Sequence, residues 1–247
     1  MAWFDAHCHL SDTASLSDFD VIIDTALQRG IQGWLSTALN KEQLRWHQIN
    51  RRSEIRFSAG IHPFYSEGTA FNIDELDELA SEKRIFALGE IGLDKRNRDL
   101  KAQILLLQSQ LEIARNYDLP CVFHVVGHLD VFFKILSEQP VRGIWHGFSG
   151  SSEIVRQFSP FGLTFSMGQK LVTALKHDVI NTVIAYGNFL IETDSPFNLN
   201  KPEQKAGTDY NPLLELINYA RIMSKLNGIK LDALQQYQAA NIKQYIK

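Results

Sequence analysis

Cysteine is nearly absent from this chain: Cys8 and Cys121 are the two in 247 residues. Both lie in apolar runs. The sequence therefore predicts a reducing compartment and excludes a disulfide framework. An excess of one charge is also missing. Lys and Arg number 25 against 28 Asp and Glu, a net charge of −3, so any phosphate-binding surface must be local. No apolar run approaches transmembrane length, and no basic segment followed by an apolar stretch marks a signal peptide at the N-terminus. Linkers rich in Ser and Gly, repeats and low-complexity tracts are likewise absent. The expectation is one cytoplasmic domain spanning residues 1–247, with no membrane association and no obligate protein partner.

What is present is alternation. Short apolar, β-branched and aromatic runs at Trp3–Leu10, Gly33–Ala38, Ile55–Ile61, Ile85–Ile91, Pro120–Val125, Gly143–Phe148, Leu163–Met167 and Phe189–Thr193 predict eight strands. Amphipathic stretches separate them. Asp18–Arg29 places Phe19, Ile22, Ile23, Ala26 and Leu27 on one face, and Ala102–Tyr117 does the same with Ile104, Leu107, Leu111 and Ala114. Eight strands, each followed by a helix, predict an α/β fold, a (β/α)8 TIM barrel, with an extra C-terminal helix at Leu231–Ile246. A doubly wound sheet is the alternative, but the chain lacks the Gly-rich dinucleotide turn.

The run Asp5-Ala6-His7-Cys8-His9 carries the first chemical signal. Residues i and i+2 of a strand share a face, so His7 and His9 point together. Paired imidazoles suit a divalent metal, although a lone His-x-His is also compatible with core or surface packing. In a barrel the active site gathers at the C-terminal ends of the strands. The remaining strand ends can therefore be checked, and they carry Gly60-Ile61-His62-Pro63, Gly89-Glu90-Ile91-Gly92-Leu93-Asp94, Phe123-His124, His146-Gly147-Phe148 and Glu192-Thr193-Asp194-Ser195-Pro196. Glu90 inside an apolar run is costly to bury unless it is paired or bound to metal. Asp194 before Ser195-Pro196 has a turn role as its rival reading. Four imidazoles and two carboxylates exceed one tetrahedral site and fit two ions.

These motifs, in this order and over nearly the whole chain, resemble the TatD-type metal-dependent hydrolases, a deoxyribonuclease family with an amidohydrolase-like barrel. The resemblance implies that His7, His9 and Asp194 hold one divalent metal, that His124 and His146 complete a second, and that Glu90 bridges the two. It implies catalytic roles for Asp194 and Glu90 and a substrate-phosphate contact for His62. The metal is zinc, magnesium or manganese. The implied substrate is DNA or a small phosphoester. Two arginines of the family pattern are missing, at Val126 and in the Asp209-Tyr210-Asn211-Pro212 segment. Lys95 and Arg96 are the substrate-binding candidates in their place, with Arg98, His128, Lys201 and Lys205 as weaker ones. The altered arginines keep open two other readings: a hydrolase of small esters, lactones or amides, and a non-catalytic barrel that binds metal or a partner.

Overall fold

The computed structural model describes residues 2–15, 18–64, 71–197 and 210–245. Its eight strands are β1 Trp3–Cys8, β2 Ile31–Ala38, β3 Ile55–Ala59, β4 Ala87–Asp94, β5 Cys121–Val126, β6 Gly143–Trp145, β7 Thr164–Met167 and β8 Phe189–Ile191. They follow one another across the sheet in chain order, with parallel pairing. The helices are α1 Leu10–Ala14, α2 Phe19–Gln28, α3 Lys41–Ile49, α4 Ile73–Ser81, α5 Leu100–Asn116, α6 Leu129–Glu138, α7 Ser152–Phe158, α8 Gln169–Thr173, α9 His177–Tyr186, α10 Glu215–Asn227 and α11 Leu231–Ile242. Every strand foreseen in the sequence is present. Four are shorter than expected at their C-terminal ends, so His9, His62, His146 and Asp194 stand on the segments just beyond them. The extra C-terminal helix is α11. No helix among the described residues is long and apolar enough to cross a membrane. Lys201, Lys205 and Asp209 lie outside the described residues.

The chain divides into two compact units: Met1–Ser36 with His146–Gln157 and Thr164–Lys247, and Thr37–Trp145 with Phe158–Leu163. In the first unit β1 is bonded to the chain leaving β8. The Asp194 N–H donates to the His7 carbonyl at 2.9 Å, and the His9 N–H to the Ser195 carbonyl at 2.7 Å. Gln238 of α11 donates its Nε2 to the carbonyls of both Phe4 and Ile191, at 3.0 and 3.2 Å, and Asn241 caps those of Gly187 and Phe189. The extra helix therefore fastens the first and last strands by their buried backbone groups, which would otherwise be left unsatisfied.

In the second unit Phe123, Phe132, Trp145 and Phe158 form an aromatic cluster with centroids 5.1–5.8 Å apart, edge-to-face except for the stacked Phe132–Phe158 pair. Helix α5 is held by more than apolar packing. Gln110 accepts from the Ile61 N–H at 2.7 Å and donates to the Ile61 carbonyl at 3.2 Å. Seven residues earlier, Gln103 accepts from the Asp94 N–H at 2.7 Å and donates to the Asp94 and Asn97 carbonyls. These two side chains lie two turns apart on one face of the helix and grip the ends of β3 and β4.

Candidate metal centre

In the first unit, β1 brings His7 and His9 to the segment after β8 that carries Asp194. The Nε2 atoms of His7 and His9 are 3.2 Å apart, and they stand 3.6 and 3.5 Å from Asp194 Oδ1. All three residues are buried. A tetrahedral ion with bonds of about 2.0–2.2 Å sets its ligand atoms roughly 3.3–3.6 Å from one another. The triangle matches that spacing, and the three buried ligand-type atoms lie close enough together to hold a metal ion. Burial opposes ionisation of Asp194, but hydrogen bonding from His9 and the fields of His7 and His146 hold its pKa below the usual carboxylate value. Asp194 itself takes a left-handed φ of +51°, uncommon outside Gly but most tolerated by Asn and Asp. His146 lies against His7, ring centroids 4.1 Å apart, with its Nδ1 3.8 Å from Glu192 Oε1.

Two carboxylates around this group had no assigned role in the sequence reading. Asp5 is the floor beneath His7. It accepts from the Thr193 N–H at 2.9 Å, the Thr193 hydroxyl at 2.6 Å and, longer, the His7 N–H at 3.4 Å. Burial pushes its carboxyl up to about 8, against the pull of the Thr193 hydrogen bonds. Glu192 accepts from the Gly147 N–H at 2.5 Å, which ties the residue after His146 to β8. Cys8, between the two histidines, is fully buried with its thiol toward the Leu35 carbonyl at 3.7 Å, a packing position.

The second unit holds a second donor group. Glu90 Oε2 is 3.3 Å from His124 Nδ1 and 3.6 Å from His62 Nε2. The register explains how β4 delivers Glu90. Gly89 pairs with Val122 and Ile91 with Phe123, so Glu90 is an extra residue without a partner across the strand, a bulge that re-aims its side chain. Beyond it Gly92 pairs with His124 at a φ of +150°, and a Cβ there would lie 1.9 Å from the His124 carbonyl oxygen. Only glycine fits this approach.

Asp94 fixes the tautomer of His124. Its carboxylate is fully buried and accepts from Arg96 N–H and Nε at 2.9 Å, as well as from the Arg96 guanidinium terminus. Burial raises its pKa, but hydrogen bonds from His124 and Arg96 outweigh that and hold it well below the usual range. An ionised Asp94 3.0 Å from His124 Nε2 requires a proton on that nitrogen. The Nδ1 lone pair is then directed at Glu90, the arrangement of a carboxylate-oriented metal ligand. His62 is oriented the opposite way. Its Nδ1 accepts from the Phe64 N–H at 3.0 Å, so the proton of the neutral ring sits on Nε2. In this tautomer that nitrogen is a donor facing Glu90 Oε2, and His62, Glu90 and His124 together stand close enough to surround a metal ion.

The substrate-binding candidates have distinct surroundings. Arg96 is committed to Asp94 and stacks over Phe64, 4.7 Å from its centroid. Lys95 is exposed; its N–H bonds the carbonyl of Val126 at 2.8 Å, and its stem runs beside Gly127. It thus stands next to Val126. His128 adopts a left-handed φ of +51° at the start of α6, without a side-chain cap.

The family model for the TatD related DNases matches residues 4–247. The chain belongs to the TatD related DNase family. Among curated TatD-like relatives, the uncharacterized metal-dependent hydrolase YcfH of Escherichia coli is 26% identical, over 96% of this chain and 92% of its own. An uncharacterized metal-dependent hydrolase of Methanocaldococcus jannaschii is also 26% identical, over 79% of each chain. The solved TatD homologue YjjV of E. coli superposes with a TM-score of 0.80 at 23% identity, covering 98% of this chain and 97% of its own. A TatD-family hydrolase of Entamoeba histolytica gives 0.81 at 20%, covering 99% and 98%. The fold is the TIM barrel of the TatD proteins, as the strand count foretold.

Proposed function

We propose that this TatD-family chain is a metal-dependent hydrolase of phosphodiester bonds, a cytoplasmic deoxyribonuclease that works with two divalent ions. The observation that carries the reading is the spacing of the two buried donor groups, 3.2–3.6 Å between facing atoms. His7, His9 and Asp194 hold one ion, and Glu90 and His124 belong to the second. The shared-ligand role of Glu90 and the ligand role of His146 rest on the family resemblance. When bound, divalent ions supply a Lewis acid and a water acidified toward neutral pH.

The chain's own groups have separable tasks. Asp194, ionised at neutral pH, accepts the proton of the attacking water. His62 offers its Nε2–H to a phosphate oxygen. Asp94 keeps the lone pair of His124 turned toward Glu90. Lys95 and Arg96 supply the positive field that an arginine at Val126 gives other members. Val126 also supports a second reading, hydrolysis of small esters or lactones, because a bidentate phosphate fork is hard to replace.

Elemental analysis of the purified protein, paired with a nuclease assay, tests the proposal. Two equivalents of metal, loss of DNA cleavage with chelator, and its return with zinc, magnesium or manganese are expected. Chelator-sensitive turnover of chromogenic esters or lactones without DNA cleavage would move the assignment to the second reading. A fully metallated protein inert on the whole panel would refute both.

A further inference from the structure

The second unit carries a cleft of about 500 Å³ that hydrolysis does not use. It lies at the start of β3 and β4, whereas His62 follows the far end of β3 and Glu90 is midway along β4. Arg56 precedes His62 by six residues, about 20 Å of extended chain. Arg51, Arg52, Arg56, Lys83 and Arg84 line it, with Glu82 as the carboxylate among the lining residues. Five cations against one acid reverse, locally, the net charge of −3 of the whole chain. Glu82 engages Arg84 at 3.0 Å.

Helix ends account for part of this charge. Arg51 and Arg52 follow α3, and Lys83 and Arg84 follow α4, where a cation complements the negative pole of the helix. Arg56 has no such explanation. It lies within β3 and sets its guanidinium over the Phe86 ring, 5.6 Å from the centroid. Phe86 and Phe57 both line the cleft and both are partly buried. The Phe86 N–H bonds the Phe57 carbonyl at 2.9 Å, so the two rings stand on neighbouring strands. Phe57 is backed by buried His47, stacked parallel with centroids 5.3 Å apart. The cleft thus joins a braced aromatic floor to a basic rim.

We infer that this cleft binds a nucleotide, with its phosphates on the arginines and its base against Phe57 and Phe86. Four of the five cations are arginine, whose planar fork matches phosphate bidentately. Cations interleaved with aromatic faces are the surface on which bases stack. The volume falls within the range of about 300–1,000 Å³ usual for small-ligand sites. Inorganic phosphate or an acidic peptide would leave the aromatic pair unused. Free nucleotides and the phosphorylated end of a nucleic-acid strand share this chemistry.

Calorimetric titration in EDTA and 50 mM salt tests the inference, because the chelator removes metal-dependent binding elsewhere. The ligands are ADP, pyrophosphate, adenosine and a 5′-phosphorylated thymidine tetranucleotide. ADP should bind at one saturable site, more tightly than pyrophosphate or adenosine. The R52Q/R56Q variant should lose at least tenfold in ADP affinity while metal-dependent hydrolysis is unchanged. R51Q/K83Q, altered only at exposed positions, provides a second variant with the same expected direction. Tighter binding of the tetranucleotide than of ADP would identify a strand end as the ligand, and the reverse a free nucleotide. Pyrophosphate binding as tightly as ADP would overturn the nucleotide assignment. An absence of saturable ADP binding, or unchanged affinity in both variants, would overturn the site. These readouts hold with or without hydrolase activity.

Discussion

Replacing Asp94 by Asn should weaken metal binding without removing any metal ligand. In the native protein the ionised Asp94 accepts from His124 Nε2 at 3.0 Å and from Arg96. An asparagine can keep Arg96 on its carbonyl oxygen, and its amide N–H then faces His124 Nε2. That contact is satisfied only if the histidine proton moves to Nδ1, which turns an N–H instead of a lone pair toward Glu90, 3.3 Å away. A hydrogen bond to a charged group contributes roughly 1.5–3 kcal/mol against about 1 for a neutral one. The difference of about 0.5–2 kcal/mol predicts a loss of about 2–30-fold in metal affinity, which overlaps the 10–100-fold usual for outer-shell partners. Competition titration against a chromophoric chelator measures the affinity, and long-range ¹H–¹⁵N correlation of the imidazole reports the tautomer. Unchanged affinity in D94N, together with a proton still on Nε2, would refute the reasoning.

D194N should retain the fold but lose activity by orders of magnitude, read as kcat on DNA and as a thermal melt near wild type. G92A should destabilise by more than about 3 kcal/mol, because its Cβ overlaps the His124 carbonyl oxygen and β4 and β5 must part; a denaturant midpoint within error of wild type would contradict the register. The buried Asp5 carboxyl is pushed up to about 8, so in the folded metal-free protein this group holds a proton that it has released in the unfolded chain between pH 4 and 8. The contribution of Asp5 to stability should fall by about 1.4 kcal/mol per pH unit as pH rises through that window, and the difference in stability between wild type and D5N in urea melts should change with that slope. Burial pushes both thiols up, so neither Cys8 nor Cys121 should react with a thiol reagent until the protein unfolds; fast labelling at neutral pH would show otherwise.

The sequence made the strands and the donor types legible because both are local. His7 and His9 share a face by strand periodicity alone, and a carboxylate at Glu90 in an apolar run is conspicuous wherever the run folds. The relation of Asp94 to His124 was not legible. It depends on the pairing of β4 with β5, which places Gly92 opposite His124 only after the bulge at Glu90 has shifted the register by one. The orientation of the His62 ring needed the Phe64 N–H, a contact set by the turn after β3. Asp5 and Glu192 sat inside quoted motifs but act through Thr193 and Gly147, whose backbone positions no spacing rule supplies.

Helix α5 carries a consequence for how this chain can change over time. Its two glutamines grip Ile61 and Asp94 at once, so the distance between the ends of β3 and β4 is copied from a helix, about 10.5 Å over seven residues. One residue inserted between Gln103 and Gln110 would rotate one of them by about 100° and release its strand. The loop before the helix is held as well, because Gln103 also bonds the Asn97 carbonyl. Insertions and deletions among descendants of this sequence should therefore collect after Asn116, while the interval from Asp94 to Gln110 stays the same length.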